Sequence, residues 1–324
     1  MDRGTAAGRG ANLRAFAPFD DTAKLRSAMT STRLPLDARA YATLLVCTML
    51  WGLQQVAIKL ALPAVSPLTQ AGIRSTLAVV LLLGWARWRD IRLLDRDGTL
   101  AAGIAAGALF AGEFCFIYSG LAHTSASRMV VFVYLAPVLT ALGLALFVPG
   151  ERLTALQWAG VLLAFGGLVT AFADGVAAPD RSTLLGDTFG VVAAALWAAT
   201  TVLIRGSSLA RASAEKTLLY QLAVSALTLP VVAWAVGEPG VVRLDALALG
   251  SLLFQGVVVA FASYLAWFWL LTRYYAGRLA VFSFLAPLFG VVFGVVLLGE
   301  RLSPTFAVAA LMVGAGIGLV NFRR

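Results

Sequence analysis

The sequence predicts an all-α integral membrane protein whose ten transmembrane helices form two inverted five-helix repeats. Three observations predict it: apolar runs long enough to cross a bilayer, a one-sided distribution of basic residues between them, and similar segments half a chain apart.

The apolar runs come first. Hydrophobic side chains make up 60% of the 324 residues and charged ones 13%, and the mean hydropathy is +0.87. So little polar surface fits lipid as the main solvent rather than water. A bilayer core about 30 Å thick takes about 20 residues of helix. Ten runs of that order occur, from Tyr41 to Leu62, Leu68 to Ala86, Leu100 to Ala122, Met129 to Val148, Ala155 to Ala173, Leu184 to Ile204, Thr217 to Val236, Ala246 to Leu271, Leu279 to Leu298 and Pro304 to Phe322. Residues 1–38 hold no apolar stretch like a signal peptide and are expected to form a disordered cytoplasmic tail, with Met29 as a second plausible start. Cys47 and Cys115 fall inside spans, where they act as small apolar fillers rather than a disulfide framework.

The charges give orientation. Segments on the side of the N-terminus hold 19 Lys and Arg, those on the other side only four (Arg128, Arg181, Arg243 and Arg301). Basic residues accumulate on cytoplasmic loops, so both termini are expected in the cytoplasm of a cell whose inner membrane holds the protein. The net charge of +9 is thereby an orientation signal, and no nucleic-acid partner is expected.

The repeats complete the architecture. Arg128 to Leu153 reads RMVVFVYLAPVLTALGLALFVPGERL and Arg278 to Leu302 reads RLAVFSFLAPLFGVVFGVVLLGERL, while LWGLQQVAIK from Leu50 matches LWAATTVLIR from Leu196. Residues 39–174 and 184–324 thus form two repeats of five spans, and an odd span number forces the second to enter the membrane from the opposite side. Inverted repeats are a recurrent architecture of alternating-access transporters, with the site at the midplane between them. A channel shares the symmetry and stays open as an alternative.

Candidate site residues follow from helical spacing. Trp51 and Gln55 lie on one stripe of the first span with Gln54 beside it, and Trp197 and Thr201 form the repeat-related stripe in the sixth. Lys59 and Arg205 end these stripes, either reaching the site or snorkelling to the interface. Glu113 is the one acidic residue deep in a span, and a carboxylate there costs at least about 2.5 kcal/mol, so it needs a partner or a wet cavity. Two readings stand: proton coupling, or a structural ion pair with Arg74. Pro137 and Pro287 sit at equivalent helix interiors, predicting kinks and freed carbonyls at Val133 and Ser283. The eighth span is rich in aromatics, among them Phe261, Tyr264, Trp267, Phe268 and Trp269. These divide between an interfacial belt and a cavity wall, where Tyr118 and Tyr134 also belong. Gly103 with Gly107, Gly290 with Gly294, and Gly314 with Gly318 predict tight helix seams.

The LAP and GERL motifs in both repeats, the Trp near the start of the first and sixth spans, and the five-plus-five layout resemble the EamA family of the drug/metabolite transporter superfamily. The resemblance implies a central cavity lined by the first, third, fourth, sixth, eighth and ninth spans. It also implies export of small polar metabolites, amino acids including aromatic ones foremost, with passive facilitation of sugars, nucleobases or cationic drugs as the alternative. There is no nucleotide loop, metal cluster or catalytic constellation, so neither a cofactor nor enzyme chemistry is expected. The expected partners are a small-molecule substrate and the lipid bilayer, with the oligomeric state open and a monomer sufficient.

Overall fold

The computed structural model describes residues 34–121, 123–124, 126–173, 181–299 and 305–322. The predicted tail up to Arg33, Glu300 to Pro304 with most of the second GERL copy, and Arg323 and Arg324 lie outside the described residues. Ten apolar helical rods make up the fold among the described residues. They are α1 (Ala38–Ala61), α2 (Pro67–Trp88), α3 (Leu100–Leu121), α4 (Ala126–Val133 with Ala136–Phe147), α5 (Ala155–Ala171), α6 (Arg181–Gly206), α7 (Ala214–Ala235), α8 (Ala246–Arg273), α9 (Ala276–Leu298) and α10 (Phe306–Asn321). Among the described residues eight rods are long and apolar enough to cross a membrane, whereas α5 and α10 are shorter, at 17 and 16 residues.

Local chemistry sets the helix ends. Asp37 caps α1 by accepting the Ala40 N–H at 2.8 Å. Thr154 and Gln157 form a reciprocal capping box at α5. The start of α2 is capped from another part of the chain: the Glu238 carboxylate accepts the N–H groups of Leu68 at 2.9 Å and Thr69 at 3.0 Å, and the Ser66 hydroxyl at 2.7 Å. A carboxylate suits a helix N-terminus, where N–H groups lack partners and the dipole is positive. Glu238→Ala is expected to lower stability by about 2 kcal/mol, the scale of hydrogen bonds to a charged group, read by thermal unfolding in detergent.

Three rods are interrupted. α4 breaks at Tyr134 and Leu135, just before Pro137, and α9 passes through a tight 3-10 turn at Val281–Phe284 just before Pro287. Proline cannot donate to the carbonyl four residues back, so the strain falls on the turn that precedes it. α8 widens to a π-helix over Phe254–Ser263, which rotates the face presented from Tyr264 onward.

Packing reproduces the internal repeat. The most extensive seams join α5 to α10, α3 to α6, α4 to α6, α2 to α7, α1 to α9, α1 to α8 and α3 to α7. Exchanging the repeats turns α4 against α6 into α9 against α1, and leaves α2 with α7 and α5 with α10 as self-related pairs. All of these seams run between repeats, so the halves interdigitate. At α5 and α10, Gly160 and Gly316 bring the backbones together: a Cβ on Gly316 would lie 2.5 Å from the Gly160 carbonyl oxygen. Gly103 meets the Tyr220 ring in the same manner. Gly314 and Gly318, expected in a seam, instead have open space where a Cβ would stand. The four-residue spacing is right, but Gly316 on the other side of the helix makes the contact.

Chain ends and loops place both described termini at one face, here the terminal face, where Gly150, Tyr275 and Phe322 line one crevice. There the Lys216 ammonium lies 2.8 Å from the Asp97 carboxylate, which also accepts the Thr99 hydroxyl at 2.6 Å. The Lys216 hydrogen bond first, and then Thr99, hold the Asp97 carboxyl at about 2, below its ordinary 3.8. A depressed acid stabilises fully above its unfolded value and loses that contribution as pH falls through the folded one. Hydrogen exchange in residues 89–99 is therefore expected to rise as pH falls from about 4 toward about 2, and Asp97→Asn to flatten that rise.

Candidate functional site

A cavity of about 260 Å³ lies between the repeats. Each wall helix supplies residues at three- and four-residue steps, the spacing that keeps side chains on one face. These are Trp51, Gln54 and Gln55 of α1; Phe110, Glu113, Phe114, Ile117 and Leu121 of α3; Met129, Val130, Val133 and Tyr134 of α4; Trp197, Thr200, Thr201 and Ile204 of α6; and Tyr264, Trp267, Phe268 and Leu271 of α8. Gln221 of α7 completes the wall. The resemblance implied α9 as a wall helix, and α9 is absent. Its Phe284 packs behind Tyr134, ring centroids 6.5 Å apart, so it backs the wall instead of forming it.

The aromatic rings form a connected frame. Trp51 meets Trp267 at 5.3 Å and Tyr264 at 6.2 Å, Phe110 meets Tyr264 at 6.2 Å, and Tyr134 meets Trp197 at 5.8 Å, all edge to face. The Trp51 indole donates to the Ser263 hydroxyl at 3.0 Å, which fixes the ring. The eighth span thus divides by helical face. Tyr264, Trp267 and Phe268 turn inward, whereas Trp269 turns outward to stack under Arg39 and Arg273.

Polar groups interrupt this frame. The amides of Gln54 and Gln55 and the carboxylate of Glu113 have no hydrogen-bond partner among the described residues and border the cavity. The hydroxyls of Thr200 and Thr201 are engaged with the carbonyls of Leu196 and Trp197. Arg74 stands behind the wall, 1% exposed, with its guanidinium carbon 4.4 Å from the centre of the Phe114 ring. Among the described residues no ion pair joins Arg74 to Glu113.

Of the expected cavity residues, Trp51, Gln54, Gln55, Glu113, Tyr134, Trp197, Thr201, Tyr264 and Trp267 meet here. Two do not. Tyr118 stacks on Phe114 outside the lining, and Ser283 is fully buried with its hydroxyl donating to the Ala280 carbonyl at 2.6 Å. The 3-10 turn of α9 winds three residues per turn, which carries Ser283 off the face that regular α-helical spacing would give it.

The cavity is closed at one end. Gln55 and Leu121 are exposed near the face opposite the termini, whereas Ile204, Phe268 and Leu271 are buried at 5%, 6% and 3%. These three form a floor, and directly beneath it Arg205 is buried and paired with Glu151. Arg205 also donates to the Leu271 carbonyl at 2.9 Å. Arg205 therefore neither reaches the cavity nor snorkels; it binds the end of α6 to the GERL turn after α4 and to the end of α8. At the opposite face Arg128 at the start of α4 pairs with Asp187 of α6, and Thr124 donates to the same carboxylate at 2.9 Å. Two buried pairs thus clamp α6 to α4 at both ends. Sequence reading assigned Arg128 to the orientation count and gave Glu151 and Asp187 no role.

The comparisons with known proteins agree with this architecture. The model of the EamA-like transporter family matches twice, over residues 38–173 and 184–322. An uncharacterized transporter of Archaeoglobus fulgidus is 26% identical over 89% of this chain and 99% of its own. A probable amino-acid metabolite efflux pump of Escherichia coli K12 is 24% identical over 84% of this chain and 91% of its own. A crystal structure at 22% identity shares the fold with a TM-score of 0.76, covering 88% of this chain and 96% of that one. The chain belongs to the EamA-like transporter family: it is a multi-pass membrane transporter and not an enzyme.

Proposed function

We propose that this transporter exports small polar metabolites, above all amino acids with aromatic or large apolar side chains, by alternating access about the central cavity. The carrying observation is a cavity in which a frame of Trp, Tyr and Phe rings is broken by unpartnered amides and one carboxylate. Rings accept an apolar body, while polar groups left without protein partners in the cavity are free to bind the charged and polar groups of a solute. The name of the E. coli relative, an amino-acid metabolite efflux pump, supports the same substrate class. The buried floor favours a carrier over an open pore, because a path sealed at one end conducts only after the helices rearrange. Pro137 and Pro287 serve as hinges in that rearrangement, and the terminal face is cytoplasmic, in accord with its basic loops.

Purified protein in liposomes tests the proposal against a panel of amino acids, sugars, purines and cationic drugs. Saturable flux of aromatic amino acids, accelerated by unlabelled substrate on the far side, is expected. Flux that rises linearly with concentration and ignores substrate on the far side sinks the carrier reading. Glu113 is proposed as the coupling carboxylate, and a Glu113→Gln protein that keeps its full response to a pH gradient removes that role.

A further inference from the structure

Arg74 is the most costly unexplained group in the fold. Its side chain is almost fully buried, the residue being 1% exposed within the membrane-spanning α2, yet its Nε and Nη1 have no hydrogen-bond partner among the described residues. What it does have is the face of Phe114 at 4.4 Å and an interaction with the Tyr264 hydroxyl. A ring face attracts a cation but satisfies none of its N–H vectors. Glu113 stands within electrostatic reach of Arg74 without touching it, and its carboxylate borders the cavity. A buried base and a buried acid are thus held apart in a low-dielectric site, with no direct pairing between them among the described residues. Leaving both unmatched is unfavourable, and direct pairing would remove the problem, so the separation calls for a bridging group.

Resting on the amino-acid reading above, we infer that Arg74 and Glu113 are the two poles of a zwitterion site, with Arg74 receiving the substrate carboxylate and Glu113 its ammonium. Phe114, whose ring covers the guanidinium and also lines the cavity, is the shutter between them. When that ring turns aside, the unpartnered N–H groups face the cavity and donate to a carboxylate, for which a guanidinium fork is geometrically suited. The side chain of the substrate then lies among Phe110, Tyr264, Trp267 and Trp51. The substrate class is therefore an α-amino acid carrying both charges, in preference to an amine or an acid of the same shape.

The test uses the full-length protein in liposomes, with labelled L-phenylalanine as the transported probe. L-phenylalaninamide, which lacks the carboxylate, and 3-phenylpropionate, which lacks the ammonium, are the competitors. Each is expected to compete roughly tenfold or more weakly than unlabelled phenylalanine, the scale of one unpaired buried charge. Arg74→Gln is expected to raise the KM for phenylalanine by a similar factor while leaving inhibition by the amide unchanged. Equal competition by all three compounds overturns the zwitterion site while leaving amino-acid transport in place. So does an Arg74→Gln protein that loses phenylalanine and amide alike, which would mark Arg74 as structural. Should that variant not assemble, the competition series on the unaltered protein still decides. Absence of flux for every α-amino acid overturns this inference together with the reading it rests on.

Discussion

Arg205→Gln is expected to destabilise the protein by about 3–5 kcal/mol, because it strands the Glu151 carboxylate in a buried site. Arg205 and Glu151 are each 4% exposed at the side chain, so solvent screens neither. The same substitution removes the hydrogen bond to the Leu271 carbonyl, which holds the end of α8 against α6 beneath the cavity floor. The floor of Ile204, Phe268 and Leu271 is then expected to loosen. A cysteine placed at Leu271 should react faster with a polar thiol reagent from the terminal face in the Arg205→Gln background than in the parent. Replacing both partners, with Arg205→Met and Glu151→Met together, should recover much of the lost stability, since the cost lies in the unpaired charge. Recovered stability with persistent floor labelling would separate the lock from the scaffold. Labelling that stays at the parent rate in both variants would show that the pair does not hold the floor.

Gly316→Val is expected to cost about 3 kcal/mol or more, at the upper end for overpacking, because no rotamer can relieve a clash with backbone. A Cβ there would lie 2.5 Å from the Gly160 carbonyl oxygen and 2.7 Å from the Ala164 nitrogen. Both α5 and α10 are short, and their mutual seam is the most extensive in the fold, so parting them detaches two helices at once. Gly314→Ala two residues earlier provides the contrast. It has nothing within 4 Å, and alanine favours helix over glycine by up to about 1 kcal/mol, so stability should hold or rise. Thermal unfolding of both variants in the same detergent measures the difference. A similar loss in each would show that helix propensity, and not the close approach, governs this face.

Much of the architecture was legible because its signals are local. The Trp51 and Trp197 stripes repeat every three or four residues, and a stripe that must bury its polar members in a bilayer has few places to face. The duplicated LAP and GERL segments announced that α4 and α9 correspond, and the similar LW segments from Leu50 and Leu196 that α1 and α6 do. What stayed hidden depends on contacts between distant residues or on small rotations. Glu151 and Arg205 are 54 positions apart, and Arg128 and Asp187 are 59 apart, so no spacing rule connects them. Their basic members also read naturally as loop charges that set orientation. Phe110 and Phe114 were lost among many apolar neighbours, since hydropathy does not distinguish a ring facing a cavity from one facing lipid. Ser283 was misplaced by the 3-10 turn, and Gly314 by a four-residue spacing that says nothing about which side of the helix meets a neighbour.

The interdigitation of the repeats has a consequence for biogenesis. Because the most extensive seams run from one repeat to the other, the first five helices leave the ribosome with their main contact faces unmatched. They can be inserted in the bilayer, but they have little to pack against until α6 to α10 follow. Packing of the membrane domain is therefore a late and nearly collective event, completed when α10 closes on α5. A break in the chain between residues 173 and 181 should matter less than loss of either half, and the two halves made together should find each other where one made alone is left to proteolysis.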